Sequence, residues 1–523
     1  MRILLCTFGS VLHYACRLFY SLLSDKSDME LLFFNDRWDA GAEKFLNDYM
    51  GGGKPDLVAV SLLTYEMGLC GNLSEFIRGR CGRDETKIIF GGPHAFLAPD
   101  QCLKAADLVC TGEGEQTLLE LVAAFQNSGK WEDVHFEDIV NIAFSRNGET
   151  ALSSRQDFHN SRDAIDDLPF PAFCEPGIFI YSDSEFRPDD CSSVTSYYCR
   201  ASRGCPNKCS YCINSTFSRR LVTFRSPRKV IEELRQAKQK FPNLANVCFL
   251  DEIFCTRKDW LLEFSELYAE HIALPFECES FPGRHSEETI ATLAKIGLQK
   301  ISVGIQSCSP RILSEVYGRP QKTQDILDDN KMYLAHGVYP TYDFIVDNPF
   351  ETPEELLETV ETASRLRRPT FFRIYSLYFF PHYPITRKAI EEGIINSDFE
   401  MDGFYDKITT THSGDQYSRK DWYAHPWKSL RNGDRKTPLN WLLTLYGSPT
   451  MPKVLTNLAF RRYKEGDNTV LLCLSSYYRL IDIARNNRFR DKLKYASRML
   501  RQRGVMWVFT YAAKKMRLFT DRV

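Results

Sequence analysis

Three cysteines, Cys205, Cys209 and Cys212, lie within the stretch RGCPNKCSYC that begins at Arg203. Thiolates at spacings of four and three residues on one loop can bind a single metal centre together. A structural zinc site closes with a fourth Cys or His nearby. Here His285 is far along the chain and no second CxxC pair follows. An iron–sulfur cluster held by only three cysteines leaves one iron open to an outside ligand. An open coordination position implies chemistry rather than scaffolding.

The other cysteines ask for less. The chain has 17 cysteines in 523 residues, too long a chain to need a disulfide framework. Cys6, Cys110, Cys248 and Cys473 sit in apolar runs and read as small buried hydrophobes. The balance of 66 basic against 68 acidic residues leaves a formal charge of -2, which gives no general pull toward nucleic acid or anionic membrane. No apolar run approaches the roughly 20 residues that span a bilayer. The opening MRILLCTFGSVLHYACRLFYSLL lacks a signal-peptide pattern, and a cytoplasmic location is expected.

The elements around the thiol loop read as α/β throughout. In residues 1–147, apolar runs RILLCTF, DLVAVSLLT, KIIFGGPHA and ADLVCTGEGE each precede a polar turn and a segment of helical spacing. This predicts a doubly wound, Rossmann-like parallel sheet with ligands beyond its strand carboxyl ends. Residues 148–191 read as an ordered connector, with DDLPFPAF at its middle. In residues 192–384 the alternation resumes through NVCFLDE, PFECES, KISVGIQS, YPTYDFIVD and FFRIYSLYFF. Repeated βα units of this length predict a full or partial (β/α) barrel. Residues 385–523 read as a mainly helical C-terminal region. In it YAHPWKSL, LNWLLTLYG and RGVMWVFTYAAKKMRLF mix aromatics with cations, as in helices packed on the barrel, a lid, or an interfacial helix touching a membrane surface.

The thiol spacing, with Tyr211 before the last cysteine, resembles the signature of radical S-adenosylmethionine enzymes. The likeness extends over roughly residues 1–395. FLDEIF (249–254) resembles a second-strand motif whose acidic end meets the amino group of S-adenosylmethionine, which implicates Asp251 and Glu252. VGIQSCSPRIL (303–313) resembles a fourth-strand segment near the ribose and carboxylate, with Gln306 and Ser307. Arg319 in YGRP matches an arginine that pairs with the carboxylate. Asp343 opens a stretch like D-x-I-x-G-x-P-x-E-T, with Asp347 or Asn348 in place of its glycine. The first module resembles the cobalamin-binding domain that precedes the radical domain in one large subclass. Ser61 and Leu63 match its S-x-L element, Gly91 and Gly92 its GG element, and Gly112 and Glu113 lie in TGEGE. The cobalt-ligating D-x-H-x-x-G motif is absent, since Val11 and Cys16 flank His13, so no cobalt ligand is assigned.

The resemblance implies a [4Fe-4S] cluster, S-adenosylmethionine and cobalamin as cofactors. It implies methylation of an unactivated carbon of a small molecule, through a 5'-deoxyadenosyl radical and methylcobalamin. An electron donor such as flavodoxin or ferredoxin is the implied partner. Two rivals stand beside this: a cobalamin-dependent cyclase or rearrangement enzyme without methyl transfer, and a cobalamin-binding regulator. Methylthio transfer to RNA is disfavoured, because the first module holds no second cysteine triad and the chain no basic nucleic-acid domain.

Overall fold

The computed structural model describes residues 1–9, 13–156, 165–216, 222–395 and 435–485. Near the start, the four apolar runs and the segment DMELLF form the parallel strands β1 (Arg2–Thr7), β2 (Asp28–Phe33), β3 (Leu57–Ser61), β4 (Lys87–Gly91) and β5 (Leu108–Cys110). Four more strands follow: β6 (Ile142–Arg146), β7 (Glu149–Leu152), β8 (Ile178–Ser182) and β9 (Glu185–Pro188). All nine share one sheet in the order β7-β6-β5-β4-β3-β1-β2-β8-β9. The stretch read as a connector thus supplies three strands, two of them a hairpin docked in parallel on β2. The two at the sheet's edges, β7 and β9, are short and half polar, which is what edges require and what hides them in a sequence.

Alternation along the central strands separates two apolar cores, one on each face of the sheet. Ile3, Leu5, Leu31, Phe33, Leu57 and Ala59 pack with helices Tyr14–Leu23 and Gly114–Ser128. Leu4, Cys6, Leu32, Phe34, Val58 and Val60 pack with helices Ala40–Gly51 and Met67–Arg78. The chain runs from β1 to β2 on one side and to β3 on the other. A crevice therefore opens at their carboxyl ends, where open α/β sheets hold ligands.

The second sheet starts with β10 (Ser196–Cys199). A two-stranded ribbon of β11 (Ser202–Arg203) and β12 (Thr223–Phe224) comes next. Then follow β13 (Asn246–Phe249), β14 (Phe276–Ser280), β15 (Leu298–Gln306), β16 (Tyr339–Val346) and β17 (Phe371–Ser376). The six parallel strands lie side by side in the order β10-β13-β14-β15-β16-β17, a partial barrel. Phe276, Cys278, Ile301, Val303, Tyr342, Phe344 and Ile374 bury one face, while Glu277, Ser302, Asp343 and Arg373 alternate onto the other.

Both sheets belong to one compact unit, described residues 1–355 and 365–395. The other unit includes helices Thr437–Tyr446, Lys453–Lys464 and Thr469–Arg485, which pack on one another. Every residue of Thr437–Tyr446 is buried, so LNWLLTLYG serves as a packed core helix. The segments YAHPWKSL and RGVMWVFTYAAKKMRLF lie outside the described residues. Cys6, Cys110 and Cys248 are buried as expected. Cys473 instead is exposed, on the outward face of its helix. Cys174 and Cys191, whose Cα atoms the β8–β9 hairpin brings to 5.8 Å, form a disulfide. No helix among the described residues is long and apolar enough to cross a membrane.

Candidate active site

The thiol loop leaves the β11–β12 ribbon, whose pairing of Arg203 with Thr223 closes its base. Gly204 turns the chain at φ 92°, a conformation that costs a side-chain-bearing residue far more than glycine. Cys205 and Cys212 are half-buried and Cys209 is buried. Backbone bonds fasten the loop: Cys212 N–H donates to the Cys209 carbonyl at 2.9 Å, and Ser210 N–H to the Tyr317 carbonyl at 3.0 Å. Burial pushes the Cys212 thiol up to about 11, and the charges of Cys209 and Cys205 push the same way. The three sulfurs therefore feel one another. Iron would displace their protons, as metal binding to thiols does. Among the described residues no three His, Cys, Asp or Glu side chains form a preset ligand group. The loop fits a cluster by its donor chemistry, and metal would draw the thiols together.

Arg319 braces this loop. Its guanidinium donates to Cys209 Sγ at 3.4 Å, to the Tyr211 hydroxyl at 2.7 Å, to Gln321 Oε1 at 2.6 Å and to the Gly304 carbonyl. Only 7% exposed, it is turned to the loop and away from open space. Tyr211 thereby gains a role, since its ring also packs edge-on against Tyr317 at 4.8 Å.

The two acidic residues after β13 part company. Asp251 is fully buried and accepts from the Ala201 N–H at 3.0 Å and from the Ser202 hydroxyl. Burial lifts its carboxyl to about 6, against those hydrogen bonds. It holds the start of the thiol loop. Glu252 faces a cavity, 3.5 Å from Arg200, and its buried Oε2 has no hydrogen-bond partner. A buried acceptor left bare is costly, so this atom is set for a donor from a ligand.

Further along, Gln306 sits at φ 70° with its buried Oε1 unpartnered. Ser307 is committed to the protein, donating to Glu351 Oε1 at 3.0 Å. Asp343 accepts a bidentate pair from Arg373 at 2.6 and 2.8 Å, and burial still holds its carboxyl above the ordinary value. Asp347, standing where the resembling motif has glycine, takes φ 56°. Aspartate tolerates that left-handed region better than most residues, so the turn is kept.

A cavity of about 600 Å³ lies between the carboxyl ends of the first sheet and the thiol loop. All six residues read from the first module, Ser61, Leu63, Gly91, Gly92, Gly112 and Glu113, line it. Register explains this: Thr7 pairs with Ser61 and Ser61 with Gly91, so the strands end level. Arg200, Arg203, Gly204, Cys205 and Glu252 form the facing wall. Asp251, Gln306, Ser307, Arg319, Asp343, Cys209 and Cys212 are not part of its lining. Gly92 has φ 95°, and a Cβ there would stand 2.8 Å from the Leu62 carbonyl oxygen. A Cβ on Gly91 would meet only Cys110 Cβ, at 3.6 Å.

His13 also lines the cavity. Its Nδ1 accepts from the Cys16 N–H at 3.4 Å and its Nε2 lies 3.4 Å from Ser61 Oγ. Burial, reinforced by the charge of Arg200, lowers its pKa to about 4. Behind it Glu66 is buried and raised to about 8 by desolvation, so it is mostly protonated at neutral pH. Sequence reasoning missed Arg200, Arg203, Glu66 and Glu115. Only the proximity of Arg203 and Glu115 to called motifs marked them.

Two family models match the chain, the radical SAM superfamily over residues 200–363 and the B12 binding domain over residues 34–122. An uncharacterized methyltransferase of Pyrococcus horikoshii is 24% identical over 316 residues, 60% of this chain and 64% of that protein. The anaerobic magnesium-protoporphyrin IX monomethyl ester cyclase of Cereibacter sphaeroides is 24% identical over 286 residues, 53% of this chain and 44% of that protein. The chain thus spans about half to two thirds of the length of these relatives. In fold it resembles the cobalamin-dependent S-adenosylmethionine radical enzyme OxsB, solved with aqua-cobalamin and S-adenosylmethionine bound. The TM-score is 0.64, with 14% identity over 93% of this chain and 81% of that one. Matched segments, level strand ends and a thiol loop on one cavity agree: the chain carries a B12-binding domain ahead of a radical SAM domain.

Proposed function

We propose that this protein methylates an unactivated carbon of a small molecule, using an iron–sulfur cluster, S-adenosylmethionine and cobalamin. One observation carries the reading: a single cavity is walled by the B12-domain strand ends on one side and by Cys205 of the thiol loop on the other. When bound, the cofactors supply reductive cleavage of S-adenosylmethionine and delivery of a methyl group. The chain supplies position and dryness. Cys205, Cys209 and Cys212 would hold the iron, with Arg319 and Asp251 bracing their loop. Glu252 and Gln306 offer bare oxygens to the amino and hydroxyl donors of S-adenosylmethionine. Ser61, Leu63, Gly91, Gly92, Gly112 and Glu113 would border the corrin. His13, kept neutral by burial and Arg200, would add no charge to the cavity wall. Electrons would come from an external donor of the flavodoxin or ferredoxin type, in the cytoplasm.

The test is anaerobic turnover of reconstituted protein with S-adenosylmethionine labelled in its methyl group. The label is expected on product carbon, with S-adenosylhomocysteine and 5'-deoxyadenosine in comparable amounts. Cys205→Ala is expected to remove 5'-deoxyadenosine altogether. The likeness to a ring-forming cyclase supplies the second reading. An unlabelled product made with 5'-deoxyadenosine alone would establish it.

A further inference from the structure

We propose that Arg203 couples the two cofactor sites, as the positioning residue that ties the thiol loop to the turn beside which cobalamin would bind. The inference rests on the function proposed above. Arg203 ends β11, two residues before Cys205. Its Nη2 donates to Glu115 Oε1 at 2.6 Å, and its Nη1 lies 3.5 Å from Glu113 Oε2. Both glutamates belong to the turn that follows β5 in the B12-binding domain, so the pair crosses from one domain to the other within one compact unit.

The geometry leaves this link little slack. The Arg203 side chain is 23% exposed and that of Glu115 is 6% exposed, so water screens the pair weakly. Glu115 sits in the first turn of helix Gly114–Ser128. A Cβ on Gly114 would lie 2.9 Å from the Phe19 ring, so that turn is wedged against its neighbours. Arg203 is held by its strand pairing with Thr223. The turn and the loop both line the cavity. An occupant that orders Gly112–Glu115 therefore also orders the residues leading to Cys205. Coupling between two binding sites is reciprocal, so loading the cluster tightens cobalamin by the factor with which cobalamin favours the loaded loop.

The full chain is titrated anaerobically with hydroxocobalamin, with and without a reconstituted cluster. Wild type is expected to bind more tightly when the cluster is present, by about 5- to 150-fold. Arg203→Gln brings that ratio close to one, and Glu115→Gln does the same from the other domain. Arg203→Lys keeps part of it, because charge remains while the fork is lost. Thermal unfolding of each variant separates loss of coupling from loss of fold. A wild-type ratio of one, or a folded Arg203→Gln or Glu115→Gln that keeps the wild-type ratio, overturns the proposal. Wild type that never binds hydroxocobalamin overturns the function proposed above and this inference with it.

Discussion

At the scale of single residues, neighbours in sequence carry opposite duties. Asp251 and Glu252 follow one another in the turn that leaves β13, and their side chains go to different places. One is buried in the loop's foundation and the other opens on the cavity. Asp251→Asn is therefore expected to lower the iron held per chain after reconstitution, because it loosens the backbone that presents the thiols. Glu252→Gln is expected to keep its iron and to weaken S-adenosylmethionine binding about tenfold or more, the worth of one hydrogen bond to a charged group. Iron assay and isothermal titration on both variants would decide, and equal iron loss in the two would refute the division. The motif was legible in the sequence and the division was not. Which carboxylate faces the ligand depends on the twist of β13 and on Ser202, some 50 positions away.

The elements were legible where their patterns are long. β1, β3, β4 and β5 announce themselves as apolar runs, and their level ends place all six expected residues of the first module on one cavity. β2 and the outer strands β6 to β9 escaped; β2 opens on polar residues, and the edge strands β7 and β9 are short and half polar. The GG element shows the limit of reading by likeness. The resemblance makes Gly92 part of a cofactor-binding element, yet its φ and the Leu62 carbonyl already demand glycine in the protein alone. Gly91 is the better probe of the cavity. Gly91→Val is expected to fold with a thermal midpoint near that of wild type while losing most hydroxocobalamin binding. Gly92→Val is expected to lower the midpoint itself, since the left-handed strain and clash fall on the backbone. Cobalamin bound normally by Gly91→Val would remove that wall of the cavity from the site.

At the scale of the molecule, the first domain does not end where its sequence pattern ends. The β8–β9 hairpin pairs with β2, and Ile178 and Tyr181 enter the two cores of the sheet. Arg17 on the first helix meets Asp189 in an ion pair at 2.6 Å whose side chains are at most 4% exposed. A fragment of residues 1–147 would leave β2 as a bare edge, and breaking a buried ion pair by losing one partner is strongly destabilising. That fragment is expected to be insoluble, whereas residues 1–191 yield a soluble product with α/β circular dichroism. Soluble, cooperatively unfolding 1–147 would disprove this.

The docking of β8 on β2 also sets a clock for synthesis. On the ribosome β2 emerges early, and its partner is made about 145 residues later. At about 5–20 residues per second that is roughly 7–30 s with one edge of the sheet uncovered. The radical domain cannot shorten the wait, because it is translated after the hairpin. Nascent chains stalled before residue 178 should accordingly engage chaperones more than chains stalled after 188, and only the longer ones should resist protease. The same hairpin that completes the sheet decides when the young protein stops being sticky.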